Sequence, residues 1–327
     1  MIIVTGGAGF IGSNLIKGLN ELGKEDILVV DNLSNAQKHL NLNGLFVSDF
    51  VDKHEFLKLL PTLEKVEAVF HQGACSSTTE TDGEYMMRNN YQFSKTLFHH
   101  CLDHQIPFYY ASSASVYGNG ENGFTEERAC EYPLNVYAFS KFMFDHYVLQ
   151  QLPSNQRRPP VVGLRYFNVY GYQENHKGSM ASVIFHFFNQ LREGGGKMRL
   201  FEGSEDFKRD FVFVEDVVRV NLHFFQHPQQ SGIYNCGTGE ARSFLDIARI
   251  IQELETKETK IEYIPFPEHL KGKYQKYTQA NLNALRAVGY TSPFTSLEAG
   301  VKKYYLRLIS HQGFLTTDFR FDESTHA

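Results

Sequence analysis

A glycine-rich segment near the amino terminus limits most strongly what this chain can fold into. Residues 5–12 read TGGAGFIG and lie between a short apolar run at 2–4 and a helical stretch at 10–22. Glycines at these positions let a strand turn tightly into a helix, whose N-terminus can then receive a pyrophosphate. Asp31 follows 19 residues after Gly12, at the end of the next apolar run. This context predicts a dinucleotide site built on Gly6, Gly9 and Gly12.

The rest of the first half alternates short β-branched runs with helical stretches. Helices are predicted at 84–104 and 136–151, and strands are predicted at 27–30, 45–47, 68–71, 107–112 and 161–166. Such alternation is typical of a doubly wound parallel sheet. We therefore predict an α/β Rossmann fold, with residues 1–167 forming mainly the cofactor domain.

The second half breaks this rhythm. It contains a GGG linker at 194–196, strand-like runs at 211–214 and 261–264, and helical stretches after Lys177, at 243–254 and at 290–308. We expect residues 168–310 to form mainly a smaller C-terminal substrate lobe, interleaved with the last strands of the sheet. The final residues, 311–327, lose periodicity and are predicted to be a mobile tail.

Composition excludes several classes of protein. The 327 residues carry a net charge of −5, which argues against sequence-independent nucleic-acid binding. No stretch approaches the roughly 18 apolar residues of a spanning helix, and no basic leader opens the chain. The four cysteines form no CxxC pair and the 14 histidines no HExxH motif. We expect a cytoplasmic protein with reduced thiols, no membrane partner and no metal.

The choice between NAD and NADP stays open on spacing alone. Asp31 is placed to accept hydrogen bonds from an adenosine ribose, which favours NAD. Lys38 and Lys53 could instead neutralise a 2′-phosphate, although either could be an ordinary surface lysine. The small residues after the fourth predicted strand are expected to border the cofactor: Gln72, Gly73, Ala74, Cys75 and Ser76.

A second motif carries chemistry. Tyr137 and Lys141 form a YxxxK pattern, which places both side chains on one face of a helix. A neighbouring cation favours phenolate and is expected to lower the tyrosine pKa, so that the phenol can exchange a proton with a carbinol. The segment SSASVYG at 112–118 supplies hydroxyl groups at the end of the preceding strand.

These motifs together resemble the extended short-chain dehydrogenase/reductase family, whose members mostly act on nucleotide sugars. The resemblance implies that Tyr137 is the acid/base, that Lys141 tunes it and binds the nicotinamide ribose, and that Ser113, in preference to Ser115, contacts the substrate oxygen. Dehydratases of the family carry an Asp-Glu pair after this serine, where the present chain has Ala114-Ser115. We therefore expect epimerisation or simple redox chemistry.

The substrate lobe offers further candidates. Taken as one helix, Ser179, Ser182 and His186 form a polar stripe, and Arg209 could clamp a diphosphate through its planar guanidinium. Arg209 could equally pair with Asp206 or Asp210.

Segments such as FHQGACSSTTE, HKGSMASV and LFEGSEDFKRDFV narrow the resemblance to those family members that epimerise an ADP-linked heptose for the lipopolysaccharide inner core. It implies inversion at C6″ through a transient ketone, with Tyr137 and Lys177 as the proton-transferring groups, and a homo-oligomer, reportedly a pentamer in relatives. It implies bound NADP contacting Phe10, Ile11, Asp31, Asn32, Lys38, Lys53, Gln72, Gly73, Ala74, Cys75, Ser76, Asn89, Lys141 and Lys177. The implied substrate contacts are Asn168, Val169, Ser179, His186, Phe201, Glu202, Gly203, Ser204, Arg209 and Tyr274.

Other functions remain compatible with these patterns. A UDP-hexose 4-epimerase would share the fold and the redox cycle. A reductase would consume NADPH, and a non-catalytic NADP-sensing protein would keep the glycine loop but would not need Tyr137 and Lys141.

Overall fold

A computed structural model describes residues 1–152, 158–267 and 275–321 of the chain. Its first half alternates strands and helices: β1 (Ile2–Thr5), α1 (Phe10–Glu21), β2 (Ile27–Asp31), β3 (Asp49–Asp52), α2 (Lys53–Leu59), β4 (Ala68–His71), α3 (Gly83–Met86), α4 (Phe93–Asp103), β5 (Phe108–Ser113), α5 (Val136–Gln151) and β6 (Val161–Tyr166). A π-helical turn, Met87–Gln92, joins α3 to α4. The predicted alternation is therefore confirmed.

The described part of the second half adds shorter strands and five α-helices. They are β7 (Asn168–Tyr170), α6 (Val183–Glu193), β8 (Lys197–Phe201), β9 (Lys208–Phe213), α7 (Val214–Gln226), β10 (Gly232–Cys236), β11 (Ala241–Ser243), α8 (Phe244–Leu254), β12 (Lys260–Ile264), α9 (Asn283–Ala287) and α10 (Leu297–His311). Within the described ranges, β11, β9 and β7 form a three-stranded sheet, and β12 pairs with β8.

The main sheet has seven strands in the order β10–β6–β5–β4–β1–β2–β3, and every neighbouring pair is parallel. Apolar side chains cover both of its faces, because parallel strands carry helices on each side. The strand order reverses between β1 and β4, and ligands of doubly wound sheets bind outside the carboxyl ends of the strands at such a point. The predicted Rossmann sheet is confirmed.

The structure differs from the predicted elements in several places. The third strand is not at 45–47 but at Asp49–Asp52, an edge strand whose half-buried Phe50 and Val51 lie between exposed aspartates. Helix α7, which follows β9 without an intervening turn signal, was not predicted, and neither was strand β10. The last helix begins at Leu297, because Ser296 caps it through the Ala299 amide.

The segment predicted to be a mobile tail packs against the body of the protein as far as Phe321. Leu315 is 4% exposed, and the Phe319 ring lies 5.1 Å from that of Tyr172. The Phe321 amide donates to Glu21 Oε1 at 3.0 Å. Aromatic residues rather than helical periodicity make these contacts, which is why the sequence pattern gave no sign of them.

One buried charged cluster ties several elements together. Arg165, at the end of β6, is fully buried, and its Nε donates to Asp145 Oδ2 of α5 at 2.9 Å. Its guanidinium also donates to Glu131 Oε1 and, at 3.0 Å, to Tyr117 Oη. Asp145 accepts a further bond from Ser112 Oγ at 2.8 Å. A buried cation compensated in this way fixes α5 against β5 and β6.

No helix among the described residues combines the length and apolar character required to cross a membrane.

Replacing Arg165 by Met should lower the free energy of unfolding by about 3–5 kcal/mol, because two buried carboxylates would lose their counter-charge. Urea denaturation followed by circular dichroism measures this change. The control is Glu55→Ala, which removes an exposed ion pair with Lys58 and should change stability by less than about 1 kcal/mol. Equal midpoints for the two variants would contradict the role of the cluster.

Candidate active site

The glycine loop and the loop after β4 approach each other closely at the carboxyl ends of their strands. Gly6 has a φ of +69°, and a Cβ built on it would lie 2.6 Å from Gly73 Cα. A Cβ on Gly12 would lie 2.1 Å from the Gly6 carbonyl oxygen. Side chains are thus excluded at these positions, because neighbouring backbone already occupies the space. Gly9 caps α1 without a side-chain hydrogen bond, so the helix N-terminus faces the cleft with its amides, as a pyrophosphate requires.

Asp31, at the end of β2, borders the same cleft. Its Oδ2 accepts from the Ala8 amide at 3.0 Å, and its Oδ1 accepts from the Asn32 amide at 2.7 Å and from Lys38 Nζ at 2.5 Å. Lys38 also donates to the Asn32 carbonyl at 2.8 Å. The carboxylate is therefore partnered by an ammonium group that itself lines the cleft.

The π-helical turn carries two asparagines, Asn89, which lines the cleft, and Asn90, which is buried behind it. Lys53 Nζ donates to Asn89 Oδ1 at 2.8 Å. The Asn90 side chain accepts from the Cys75 amide at 2.8 Å and donates to the Cys75 carbonyl at 2.9 Å. It also donates to Ser140 Oγ at 3.1 Å, on the catalytic-motif helix. The loop after β4 is thus fixed directly to α5.

Tyr137 and Lys141 both reach the cleft from α5, but they do not interact as the sequence predicts. Burial raises the pKa of Tyr137, and a hydrogen bond with Ser113 partly opposes this shift. Lys141 is not among the groups that shift the pKa of this phenol, and its tuning role stays a prediction. Lys141 Nζ donates instead to the Ala111 carbonyl at 2.7 Å. Burial lowers the pKa of Lys141 to about 8, against the opposing effect of Asp145.

Lys177 enters the same cleft from the opposite lobe, on a 3₁₀ turn (Asn175–Met180). Its Nζ lies 4.9 Å from the centre of the Phe10 ring, at the start of α1. Burial lowers the pKa of Lys177, while the Glu174 carboxylate raises it. Burial together with Lys38 and Lys177 lowers the pKa of the adjacent His176 to about 4.

All these groups border one cleft of about 810 Å³. Every residue predicted to be catalytic or to bind the cofactor lines it. Of the predicted substrate residues, Asn168 and Val169 line it as well. The structure does not place the others in its lining: Ser179, His186, Phe201, Glu202, Gly203, Ser204 and Arg209. Tyr274 lies outside the described residues.

The predicted polar stripe is wrong as a single helical face. Ser179 belongs to the 3₁₀ turn, and only His186 lies within α6. Ser182 caps α6 by accepting from the Phe185 amide, which separates the two elements. Arg209 is 4% exposed, and its Nη1 donates to the Lys208 carbonyl at 3.1 Å.

The lining residues that escaped sequence reasoning include Tyr85, His176, Phe211 and Phe244. His176 could have been found from its place beside Lys177. The aromatic residues could not, because rings are frequent in this chain and most of them pack in the core.

The comparisons with known proteins agree with this geometry. Residues 2–237 match the model of the NAD dependent epimerase/dehydratase family. The chain is 60% identical over 319 residues to an ADP-L-glycero-D-manno-heptose-6-epimerase of Brachyspira hyodysenteriae, covering 96% of this chain and 100% of the relative. The predicted resemblance is confirmed.

Solved structures give the same result. The Helicobacter pylori ADP-L-glycero-D-manno-heptose-6-epimerase superposes with a TM-score of 0.80 at 32% identity, covering 94% of this chain and 96% of that one. A Thermus thermophilus UDP-glucose 4-epimerase in complex with NAD gives a TM-score of 0.77 at 25% identity, with 95% and 99% covered. The family match supports the predicted nicotinamide cofactor. With its glycine loop, its Tyr137/Lys141 pair and this extent of similarity, the chain belongs to the NAD-dependent epimerase/dehydratase family of enzymes.

Proposed function

We propose that this enzyme interconverts ADP-D-glycero-β-D-manno-heptose and ADP-L-glycero-β-D-manno-heptose by inversion at C6″, and so supplies heptose for the lipopolysaccharide inner core. The observation that carries the proposal is the entry of two proton-carrying side chains, Tyr137 and Lys177, into one cleft from different elements. Inversion requires a proton acceptor and a proton donor for both orientations of the carbinol. The named relatives support the choice of substrate.

The glycine loop fits a nicotinamide dinucleotide, because Gly6, Gly9 and Gly12 line the cleft at the N-terminus of α1, where free backbone amides can receive a pyrophosphate. Bound NADP+ would supply the redox chemistry, accepting a hydride from C6″ and returning it to the opposite face of the ketone. Gly6, Gly9 and Gly12 would hold the pyrophosphate. Lys141 would hold the nicotinamide ribose.

Proton transfer falls to the chain's own side chains. The Tyr137 phenol exchanges a proton with the C6″ oxygen in one orientation, and the Lys177 ammonium does so in the other. Ser113, hydrogen-bonded with Tyr137, holds the substrate oxygen in place. With one epimer the deprotonated Tyr137 oxygen accepts the C6″ hydroxyl proton and the Lys177 ammonium later donates a proton to the ketone oxygen, and with the other epimer the two roles are exchanged. Burial raises the pKa of Tyr137 and lowers that of Lys177.

NADP is the cofactor that we propose, in preference to NAD. Lys38 holds the Asp31 carboxylate, which would otherwise repel a 2′-phosphate, and both side chains border the cleft. Lys53 adds a second ammonium group at the same side of the cofactor loop. For the substrate we retain the residues that the resemblance implied, with Asn168 and Val169 nearest to the cleft, and we retain a homo-oligomeric assembly.

Incubating the purified enzyme with ADP-D-glycero-D-manno-heptose should invert C6″ without consuming added cofactor, because the hydride returns to the carbon that it left. NMR of the C6″ proton measures the configuration. UDP-glucose serves as the competing substrate. Turnover of UDP-glucose without inversion of the heptose would favour a 4-epimerase and overturn the proposal. Stoichiometric consumption of NADPH would indicate a reductase.

Tyr137→Phe and Lys177→Met should each lower kcat for inversion by at least about 100-fold, because each removes one proton-transferring group. The same NMR assay measures both. Tyr132→Phe and Lys302→Met are the matched controls at exposed positions and should retain wild-type rates. Full activity of Lys177→Met would rule out the two-group mechanism.

Lys38→Gln should weaken NADP+ binding by about tenfold more than NAD+ binding, because it removes the cation beside Asp31 and leaves the carboxylate unpaired. Isothermal titration with each dinucleotide measures the two dissociation constants. Lys58→Gln, at an exposed position, controls for net charge. An equal loss for both dinucleotides would exclude Lys38 as the selective residue.

A further inference from the structure

The segment that carries Lys177 contains neither an α-helix nor a β-strand. Between β7 and α6 it consists of a 3₁₀ turn, in which Gly178 has non-helical angles of φ 55° and ψ −127°. Just before the turn, Gln173 holds a φ of 72°, an uncommon conformation for a side-chain-bearing residue. Such a backbone persists only where the surroundings hold it, so its contacts determine where Lys177 lies.

One set of contacts comes from the cofactor domain. Asn41 Nδ2 donates to the Gln173 carbonyl at 3.2 Å, and Gln173 Nε2 donates to the Asn41 carbonyl at 2.9 Å. Asn35 Nδ2 donates to the His176 carbonyl at 3.0 Å.

A second set comes from residues 312–321, which we name the C-terminal strap. The Gln173 amide donates to the Gly313 carbonyl at 2.9 Å, and the Leu315 amide donates to Gln173 Oε1 at 3.4 Å. Asn175 Nδ2 donates to the Gln312 carbonyl at 2.8 Å. The strap thus bonds directly to the two residues that lie two and four positions before Lys177.

The strap is itself anchored on both lobes. Arg307 of α10 donates from Nε to the Phe314 carbonyl at 2.6 Å and from Nη2 to Thr316 Oγ1 at 3.0 Å. At its far end, the Phe321 amide donates to Glu21 of α1. At its centre, the Leu315 carbonyl lies so near Gly44 that a Cβ there would approach its oxygen to 2.8 Å. A displacement of the strap would therefore break or move the hydrogen bonds that it makes with Gln173 and Asn175.

We propose that the C-terminal strap, through Asn175 and Gln173, is a positioning element that holds Lys177 at the reacting carbon. The inference rests on the proposed function, since it assigns the strap to the Lys177 half of the proton transfer. Glu174 contributes from the other side of the turn. Its fully buried carboxylate accepts from the Ser182 amide at 2.7 Å and from Ser182 Oγ at 2.5 Å, and it attracts the Lys177 ammonium.

The test compares Asn175→Ala and Asn175→Asp with the intact enzyme. Both variants lose the donor to Gln312, and Asp keeps the size of the side chain. We expect kcat for inversion to fall by at least about tenfold with little change in KM, because misplacing a proton-transferring group by about 1 Å can cost 100-fold in rate. Asn122→Ala, which removes a comparable exposed side-chain bond to the Ala129 carbonyl, should have no effect.

The two epimers provide a readout that general loss of structure would not reproduce. With Lys177 displaced, the epimer whose proton Tyr137 removes should still be oxidised to the ketone, while reprotonation stalls. Absorbance of reduced nicotinamide should therefore accumulate with one epimer and not with the other. The same absorbance of reduced nicotinamide with both epimers at unchanged thermal stability, or wild-type rates with both Asn175 variants, would overturn the proposal.

Truncation tests the strap as a whole. A chain ending at residue 311 lacks the strap, and a chain ending at residue 321 keeps it and serves as the control. Amide hydrogen exchange over 174–182 should speed up in the first chain only. Unchanged exchange there would overturn the proposal, and if the shorter chain does not fold, the Asn175 variants decide. Failure of the intact enzyme to invert the heptose would instead remove the proposed function, while exchange would still report on the strap.

Discussion

The burial of the Arg165 guanidinium constrains the rest of the structure. A cation without solvent requires carboxylates close by, and these come from α5 (Asp145) and from the loop before it (Glu131). Because Asp145 lies one helical turn after Lys141, the same charge balance orients the catalytic face of α5. The carboxylate also favours the protonated form of Lys141. Asp145 therefore serves both the buried ion pair with Arg165 and the charge state of Lys141 in the cleft.

The cleft depends equally on backbone packing. The loops after β1 and β4 meet at Gly6 and Gly73, at a separation that no side chain permits. Asn90, on the π-helical turn, then joins the second loop to α5 through Cys75 and Ser140. Cofactor loop and catalytic helix are therefore held by one continuous set of hydrogen bonds, and neither can shift alone.

Prediction from sequence succeeded where the signal is local. The Gly6–Gly12 spacing, the Tyr137/Lys141 pair and the alternation of strands and helices each depend on residues within one supersecondary unit. It failed for the edge strand β3, for α7 and for the packed strap, whose residues find their partners far along the chain. The pKa of Tyr137 was also not predictable from spacing. Spacing suggested that Lys141 would lower it, whereas burial raises it.

By itself, the sequence determined the fold class, the dinucleotide loop and the identity of the residues that border the cleft on the cofactor side. Glycine conformation and helical periodicity act over a few residues and account for the loop and the fold class, while the family resemblance implied the remaining cofactor-side residues. Only the tertiary structure decided that Lys38 partners Asp31, that Lys141 bonds to Ala111 rather than to Tyr137, and that the chain end supports the Lys177 segment. These outcomes depend on burial and on tertiary contacts, which no local pattern encodes. Asn175 and Gln312, for example, are more than one hundred residues apart in the chain.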